Sequence, residues 1–352
     1  MTSRRFIGQK EELENLFRRY GIGGETSFHA LAYHYFVRYS ERLANIPDTT
    51  IEKWRRAHQK IENDLRIFLF LDELVSNDPE GHKLSEWYQF FVGRRFREAS
   101  GKFFTPKLVA SVMARMLPVK QQVVIMDPTC GSSTFLMEAA RVWGERDCIL
   151  VANDIELSLV ELSMLTLNLG TSSQHEKHFI CGDIYSPPEE LRNWYGRVDY
   201  ILANPPFSLR IEHEQFDSPL FSSGYRNSDA LFIDIALKLL RPGGRLVCLL
   251  PHSIIANKEF SSFRTIVEKS WTLLGVICLP EGVFHLSAGT TTRADIVVLE
   301  KNETPVSPVV RKHVFASVPS VGIRLNSNDA DSTPNYLESV LNTPEVREAF
   351  GI

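Results

Sequence analysis

The residues best suited to chemistry in this sequence are Asn204, Pro205, Pro206 and Phe207. They follow the apolar run Val198–Ala203, which predicts a buried strand, and the two prolines end it because neither has an N–H to give to a sheet. An amide oxygen, a proline carbonyl and an aromatic ring suit a planar substrate with an exocyclic amine: the oxygens accept from the amine while the ring stacks on the base. On its own such a string is also compatible with an ordinary strand-ending turn. The other strand ends of the same predicted sheet decide between a turn and a functional site.

Three aspartates are predicted to end successive strands upstream of those residues. Asp127 precedes a tight loop that contains Gly131 and leads into a helix, Asp154 ends the second predicted strand, and Asp183 ends the third. A carboxylate on the second strand can hold both hydroxyls of a ribose, and one on the third can accept from an adenine amine. The glycine spacings of a nicotinamide fingerprint and of a phosphate-binding P-loop are both absent. The sequence therefore predicts a pocket for a nucleoside that carries an amino-acid tail.

The elements that must position these residues change in character along the chain. Residues 1–100 are predicted to form a smaller all-α domain, because apolar side chains recur there at three- and four-residue spacing. Beyond Pro106, seven apolar runs alternate with helix-like stretches, which predicts an α/β fold with a doubly wound, mostly parallel, seven-stranded Rossmann-like sheet over residues 101–301. The loop between the last two strands has no obvious helix, so one of them is expected to run antiparallel at the edge. Residues 302–352 are predicted to form a tail with a strand and a terminal helix.

Composition narrows the class of protein further. The chain has 352 residues and a net charge of −4, so bulk electrostatic binding to nucleic acid is not expected. The five cysteines are scattered and no two form a C-x-x-C pair, so no metal site is predicted and a reduced, cytoplasmic setting is expected. Neither a signal peptide nor an apolar run long enough to span a membrane is apparent, so no membrane partner is expected.

The motifs as a set resemble those of S-adenosylmethionine-dependent N6-adenine DNA methyltransferases of the gamma class. The resemblance is carried by five pieces in order: Phe103-Phe104-Thr105-Pro106, the loop from Asp127 to Phe135, Asp154, Gly182-Asp183, and Asn204 to Phe207. A later stretch, Leu279-Pro280-Glu281-Gly282-Val283-Phe284 with Gly289 to Thr292 after it, is similar to the modification subunits of type I restriction systems. The resemblance covers roughly residues 84 to 301.

The resemblance implies a role for each matching residue. The cofactor, S-adenosylmethionine, would be held at its methionine part by Phe104, Thr105, Pro106, Asp127 and Gly131, at its ribose by Asp154, and at its adenine by Asp183 with Ile155 or Ile184. Asn204 and the Pro205 carbonyl would hold the N6 amine of a flipped target adenine in DNA, with Phe207 stacked on the base and Pro206 completing the catalytic motif. Flipping is needed because that amine is paired inside the duplex. No metal is implied.

One position departs from the family pattern. Family loops usually carry two further glycines where this sequence has Ser133 and Thr134. If the first of these positions requires a positive φ or a close backbone approach, Ser133 is expected to cost affinity for the cofactor.

The same motifs leave two alternative activities open and imply partner subunits. The alternatives are a methyltransferase that acts on protein glutamine or on an RNA amine, and a catalytically silent assembly subunit, which only Ser133 supports. By resemblance, a separate specificity subunit would choose the DNA sequence, with two copies of this chain around it, and the sequence leaves open whether a restriction nuclease subunit joins. The competing possibility is that the helical domain itself reads DNA through Lys53, Arg55, Arg56 and Arg94 to Arg97.

Overall fold

The computed structural model describes residues 3–100, 104–212, 218–283, 293–303, 313–322 and 334–352. Phe103, Phe284 and the stretch from Gly289 to Thr292, which belong to the motifs above, lie outside these residues. The chain divides into two compact units, one formed by Met1–Ser100 with Ser158–Ser173 and the other by Gly101–Leu157 with Gln174–Ile352.

The first unit is helical. Its elements are α1 Ser3–Arg18, α2 Glu25–Arg38, α3 Asp48–Gln59, α4 Leu65–Ser76 and α5 Leu84–Ser100, joined by most of the helix Leu157–Gly170. Large aromatic side chains fill its core and are fully buried: Phe17, Phe28, Tyr35, Trp54, Trp87 and Tyr88. The buried Tyr35 hydroxyl donates to Asp78 at 2.9 Å, which satisfies the polar end of that ring. The all-α prediction for the N-terminal region is confirmed.

One charged pair in this unit concerns the basic run on α3. The Lys53 ammonium donates to the Glu161 carboxylate at 3.0 Å, and Glu161 is only 1% exposed. A buried carboxylate needs such a partner, because an unpaired charge away from water is costly. Arg55 and Arg56 stay largely at the surface, while the side chains of Arg94 to Arg97 lie outside the described part of the chain. Lys53 is thus engaged inside the unit, which weakens the alternative that α3 reads DNA.

The second unit is built on an eight-stranded sheet. Its strands are β1 Val123–Asp127, β2 Cys148–Asp154, β3 Glu176–Cys181, β4 Val198–Ala203, β5 Leu240–Pro251, β6 Trp271–Cys278, β7 Ala294–Lys301 and β8 Val314–Ser317. Their order is β3-β2-β1-β4-β5-β7-β6-β8, and all pairs are parallel except those that β7 makes with β5 and β6. The predicted α/β, mostly parallel sheet is confirmed.

Two details of the predicted sheet are wrong. The sheet has eight strands and not seven, because the short segment Val314–Ser317 from the tail pairs with β6, starting where Val314 lies opposite Gly275. The antiparallel strand is not at the edge, since β6 and β8 lie beyond β7. The side chains from Ala294 to Leu299 are all buried, which is the pattern of an interior strand covered on both faces.

Helices complete the second unit. They are α6 Lys107–Ala114, α7 Thr134–Trp143, α9 Glu189–Arg192, α10 Pro219–Ser222, α11 Ser228–Leu239, α12 His252–Ala256, α13 Ser261–Val267, α14 Tyr336–Leu341 and α15 Pro344–Phe350, and the helix Leu157–Gly170 is α8. The tail thus ends in two short helices. Phe350 is fully buried and its ring lies so close to Gly275 that an added Cβ there would be 2.9 Å from it, which seats α15 against β6. None of the described helices is long and apolar enough to cross a membrane.

The strand order creates one preferred place for a ligand. β1 and β4 are neighbours although β2 and β3 come between them in the chain, so the winding of the sheet reverses at that pair. Open α/β sheets bind ligands outside the carboxyl ends of the strands at such a reversal. Asp127 is the last residue of β1, and Asn204 directly follows β4.

Candidate active site at the carboxyl edge of the sheet

Asp127 closes β1 and starts the site. Its carboxylate is 1% exposed and accepts the Thr129 N–H at 3.1 Å. Burial raises the pKa of Asp127 well above its ordinary value, against the bond from Thr129, and the nearby Asp154 carboxylate raises it further. A buried carboxyl in this state favours a cationic neighbour, which would stabilise its ionised form.

The loop after Asp127 passes an aromatic side chain at close range. Gly131 has a φ of +51°, and a Cβ added there would lie 3.9 Å from the Phe104 ring. Its backbone N–H donates to the Asp154 carboxylate at 3.0 Å. The sequence-predicted residues Phe104, Asp127, Gly131 and Asp154 are therefore brought together around one loop.

Ser133 occupies a backbone conformation that suits glycine. Its φ of 58° and ψ of 24° lie in the left-handed region, and it is fully buried directly before α7. Its N–H donates to Cys130 O at 2.7 Å and its carbonyl accepts from Met137 at 2.9 Å, so the surrounding turn holds it in place. This position therefore requires a positive φ, which glycine adopts without strain and which serine adopts here.

Substitution of Ser133 should reveal this strain. We expect Ser133→Gly to be about 1 kcal/mol more stable than Ser133→Ala, because both lose the hydroxyl and only alanine keeps a Cβ in the left-handed region. Chemical denaturation of the two variants measures the difference. Ser132→Gly is the control: the backbone of Ser132 has no positive φ, so glycine should give no gain there. Equal stability of the Ser133→Gly and Ser133→Ala variants would contradict the strain.

Asp154 links the first two strand ends. Besides the bond from Gly131, its other carboxylate oxygen accepts the Glu156 N–H at 3.0 Å, and the residue is 7% exposed. The carboxylate is thus fixed between the loop after β1 and the turn after β2. Ile155, next in the chain, is 57% exposed and offers an apolar side chain beside this carboxylate.

Asn153 is a residue that the sequence analysis missed. It is fully buried, and its amide nitrogen donates to Pro128 O at 2.8 Å and to Gly182 O at 3.0 Å, so it connects the segments that follow β1 and β3. Gly182 is also tightly enclosed, since an added Cβ would lie 2.6 Å from Pro188. The available signal was an amide in an otherwise apolar strand, where a buried polar group requires partners.

The third strand end carries Asp183 and Ile184. Asp183 is half-buried and accepts the Tyr185 N–H at 2.8 Å, which fixes the turn after β3. Ile184 is 5% exposed and packs into the core of the unit. Of the two isoleucines proposed to cover the adenine, Ile155 is therefore the one with exposed surface.

Asn204 meets a residue almost a hundred positions earlier. Its amide nitrogen donates to the Thr105 hydroxyl at 3.2 Å, and Thr105 is 9% exposed. Because the nitrogen end is engaged with Thr105, the carbonyl end of the amide is presented as the acceptor. Pro106, the residue before α6, directly follows Thr105. The contact joins the Phe104-Thr105-Pro106 segment to the Asn204 loop.

The backbone after Asn204 is anchored by the start of α11. The Ser228 hydroxyl donates to Pro206 O at 2.6 Å and accepts the Leu209 N–H at 3.2 Å. The Tyr185 hydroxyl in turn donates to Ser228 O at 2.7 Å. These bonds fix the Pro206 carbonyl and the backbone that follows the proline pair.

Ser228 and Tyr185 were not singled out from the sequence. The signal at Ser228 was the polar segment Asn227-Ser228-Asp229 before an apolar helix, which is typical of a helix start but does not say what it anchors. Asp229 is buried, its pKa is raised by that burial, and it accepts the Ser208 N–H at 3.4 Å. Phe207, inside this anchored loop, is half-buried.

The described residues contain two groups with the spacing of metal ligands. They are Glu25, His29 and Glu161 in the helical unit, and His252, Cys278 and Asp295 in the sheet unit. Neither group includes a residue that the sequence analysis placed in the cofactor or catalytic site.

Solved structures define the class of fold. A class I S-adenosylmethionine-dependent methyltransferase from Listeria monocytogenes is similar over 97% of this chain and 99% of its own, with a TM-score of 0.59 and 17% identity. A type I restriction-modification methyltransferase subunit from Streptococcus thermophilus is similar over 86% of this chain and 64% of its own, with a TM-score of 0.59 and 21% identity. The fold is that of the S-adenosylmethionine-dependent methyltransferases.

Sequence comparison gives the family. Residues 80–320 match the family model of the N-6 DNA methylases, and the chain belongs to that family. It is 24% identical over 260 residues to the methylase subunit of the type I restriction enzyme MjaVII from Methanocaldococcus jannaschii, covering 69% of this chain and 44% of that protein. It is 26% identical over 224 residues to the type II methyltransferase M.VspI from a Vibrio species, covering 60% and 53% respectively. The chain thus spans about half the length of these relatives.

Proposed function

We propose that this chain transfers a methyl group from S-adenosylmethionine to the N6 amine of an adenine in DNA. The single observation that carries the proposal is the orientation of the Asn204 amide, which donates to Thr105 where the winding of the sheet reverses. At the same reversal, the loop after Asp127 donates a backbone N–H to Asp154. Membership of the N-6 DNA methylase family supports the same substrate.

The residues around the first two strand ends fit the cofactor. Asp127, whose pKa is raised by burial, gains from a cationic partner, and the cofactor has a cationic ammonium on its methionine part. The Asp154 carboxylate, at the end of the second strand, suits ribose hydroxyls, and exposed Ile155 offers an apolar surface for the adenine ring. We assign Phe104 and Gly131, with Thr105 and Pro106, to the methionine end, and Asp183 with Ile184 to the adenine end. When bound, the cofactor supplies an electrophilic methyl group on a sulfonium.

The chain's own residues would orient the target amine. Asn204 Oδ1 and Pro205 O accept its two hydrogens, which draws the nitrogen lone pair out of conjugation with the ring and aims it at the methyl group. The Ser228 hydroxyl keeps Pro206 O occupied and the loop in shape. Phe207 stacks on the base, which must leave the duplex because its amine is otherwise paired. The nitrogen–methyl bond would form as the sulfur–methyl bond breaks, with the electron pair left on the sulfur, and the methylated amine would release one proton to solvent.

DNA sequence choice belongs, in this proposal, to a separate subunit. Several relatives are named methylase subunits of type I restriction enzymes, which supports a multi-subunit assembly that acts on DNA. We propose two copies of this chain around one specificity subunit in the cytoplasm, where the DNA is, with a restriction nuclease as a further partner. Residues 1–100 and 302–352 would make the subunit contacts and residues 101–301 the chemistry.

Methyl transfer to DNA tests the proposal directly. The purified chain, with S-adenosylmethionine that carries a tritiated methyl group, should label adenine in DNA and leave RNA and protein unlabelled. Alone, it should label DNA slowly and at no defined site, because no element among the described residues is assigned to base reading. Sequencing of methylated bases from cells that express only this chain measures site choice. Label found only in RNA or protein would exclude adenine in DNA as the substrate. A defined adenine motif methylated to completion by this chain alone would exclude a separate specificity subunit.

A further inference from the structure

Three side chains with no assigned role in methyl transfer converge at the carboxyl edge of the sheet, on the strands that lie beyond β4. Cys278 is the last residue of β6, Asp295 is the second of β7, and His252 directly follows β5. In the sheet Asp295 lies opposite Leu250 on one side and Cys278 on the other. A histidine nitrogen, the cysteine sulfur and a carboxylate oxygen lie within 4.8 Å of one another.

The Asp295 carboxylate lies at the centre of this group, and its two oxygens differ in their hydrogen bonding. Asp295 is fully buried, and His252 Nδ1 lies 2.8 Å from its Oδ2. Its other oxygen, Oδ1, is also buried and accepts no bond of good hydrogen-bond geometry from the described residues, although the Cys278 thiol lies near enough to the carboxylate to interact with it. A buried carboxylate oxygen without a partner costs free energy, which a directly bound cation would recover.

The donor set matches one class of ion. A nitrogen, a thiolate sulfur and a carboxylate oxygen together are the ligands of zinc, while magnesium and calcium prefer oxygen alone. Ligand atoms around a tetrahedral zinc ion lie about 3.3–3.8 Å apart, so the observed spacing requires only small side-chain shifts. His252 and Cys278 are partly exposed, which gives an ion a path from solvent.

The charges around the group also permit a cation. The Arg293 guanidinium lies near the Cys278 thiol and adds a positive charge beside the group. A bound metal ion deprotonates a coordinating thiol outright. The thiolate and the Asp295 carboxylate would then contribute two negative charges, which offset a divalent cation even beside Arg293.

We propose that His252, Cys278 and Asp295 form a zinc-binding site with a solvent molecule as the fourth ligand. The site would join the ends of β5 and β6 to the start of β7. The other group with metal-ligand spacing is less suited, because the Glu161 carboxylate within it already accepts from Lys53.

Zinc titration of the metal-free full chain tests the site without DNA or cofactor. Calorimetry should show one equivalent bound with release of the Cys278 proton, and cobalt in place of zinc should give thiolate-to-cobalt charge-transfer absorption. Cys278→Ser and His252→Gln should each weaken zinc binding about tenfold or more, and the serine variant should lose the absorption. Both residues are partly exposed, so these variants are expected to fold.

Two matched controls separate this site from adventitious binding. Cys181→Ser removes an exposed cysteine outside the group, and His29→Gln removes the histidine of the other group; both should bind zinc like the parent chain. Absence of zinc binding, or binding that survives Cys278→Ser and His252→Gln, would overturn the proposal. Methyl transfer plays no part in these readouts, so failure of the proposed function leaves their outcome unaffected.

Discussion

Asn204→Ala is expected to lower the rate of methyl transfer at least about a hundredfold while leaving the affinity for S-adenosylmethionine unchanged. The substitution removes the carbonyl that would accept from the target amine, and one oriented polar group in an active site is worth roughly that factor. Cofactor affinity should persist because the bonds from Gly131 to Asp154 and from Thr129 to Asp127 do not involve Asn204. Single-turnover kinetics with labelled cofactor, together with calorimetry of cofactor binding, measure the two quantities separately.

Variants of Thr105 provide the matched control for this prediction. Thr105→Val removes the acceptor for the Asn204 amide nitrogen at nearly constant volume, so the amide loses its fixed orientation and kcat should fall. Thr105→Ser keeps the hydroxyl and should restore most of the rate. Near-normal turnover in Asn204→Ala would exclude its role in holding the amine. Thr105 is also assigned to the methionine end of the cofactor, so Thr105→Val is expected to weaken cofactor binding as well; weaker binding with kcat unchanged would exclude the second role of Thr105, the orientation of Asn204.

Asp154→Ala is expected to weaken cofactor binding by about 1–3 kcal/mol, or roughly fivefold to more than a hundredfold. Two losses add in the same direction. The ribose hydroxyls would lose their acceptor, and the backbone N–H groups of Gly131 and Glu156 would lose the carboxylate that now accepts from them. The loop that follows Asp127 would then be less well ordered before the cofactor arrives. Calorimetric titration of the cofactor gives the affinity directly.

The control for the second prediction lies just before the same strand. Asp147, which is exposed at the residue preceding β2, changes the charge equally when replaced by alanine and should leave the affinity unaltered. The cofactor affinity of Asp154→Asn should lie between those of Asp154→Ala and Asp147→Ala, because the asparagine amide keeps one oxygen that can accept from a backbone N–H. Cofactor affinity in Asp154→Ala equal to that of the parent chain would remove Asp154 from the ribose site.

The outline of the sheet could be predicted because its signals are local. Apolar runs that stop at Asp127, Asp154 and Asn204 mark strand ends, and helical spacing before residue 100 marks the all-α region. A strand was predicted in the tail, but its pairing with β6 was not, since Val314–Ser317 is only four residues long and alternately half-buried and exposed, and no local signal names its neighbour. The interior position of β7 escaped as well, because no local pattern states which strands lie on either side of it.

The sequence by itself determined which chemical groups reach the site. Parallel strands end at one edge of the sheet, so a carboxylate or amide at each strand end must come near the others. The sequence also indicated that Ser133 occupies a position where a glycine with a positive φ is usual, and its φ is positive. Only the tertiary structure decided how those groups are held: Thr105 on the Asn204 amide, Asn153 across two loops, and Ser228 on Pro206. These partners are 22 to 99 residues apart in the chain. Contacts of that range depend on how whole elements pack, which the residues on either side of a motif do not encode.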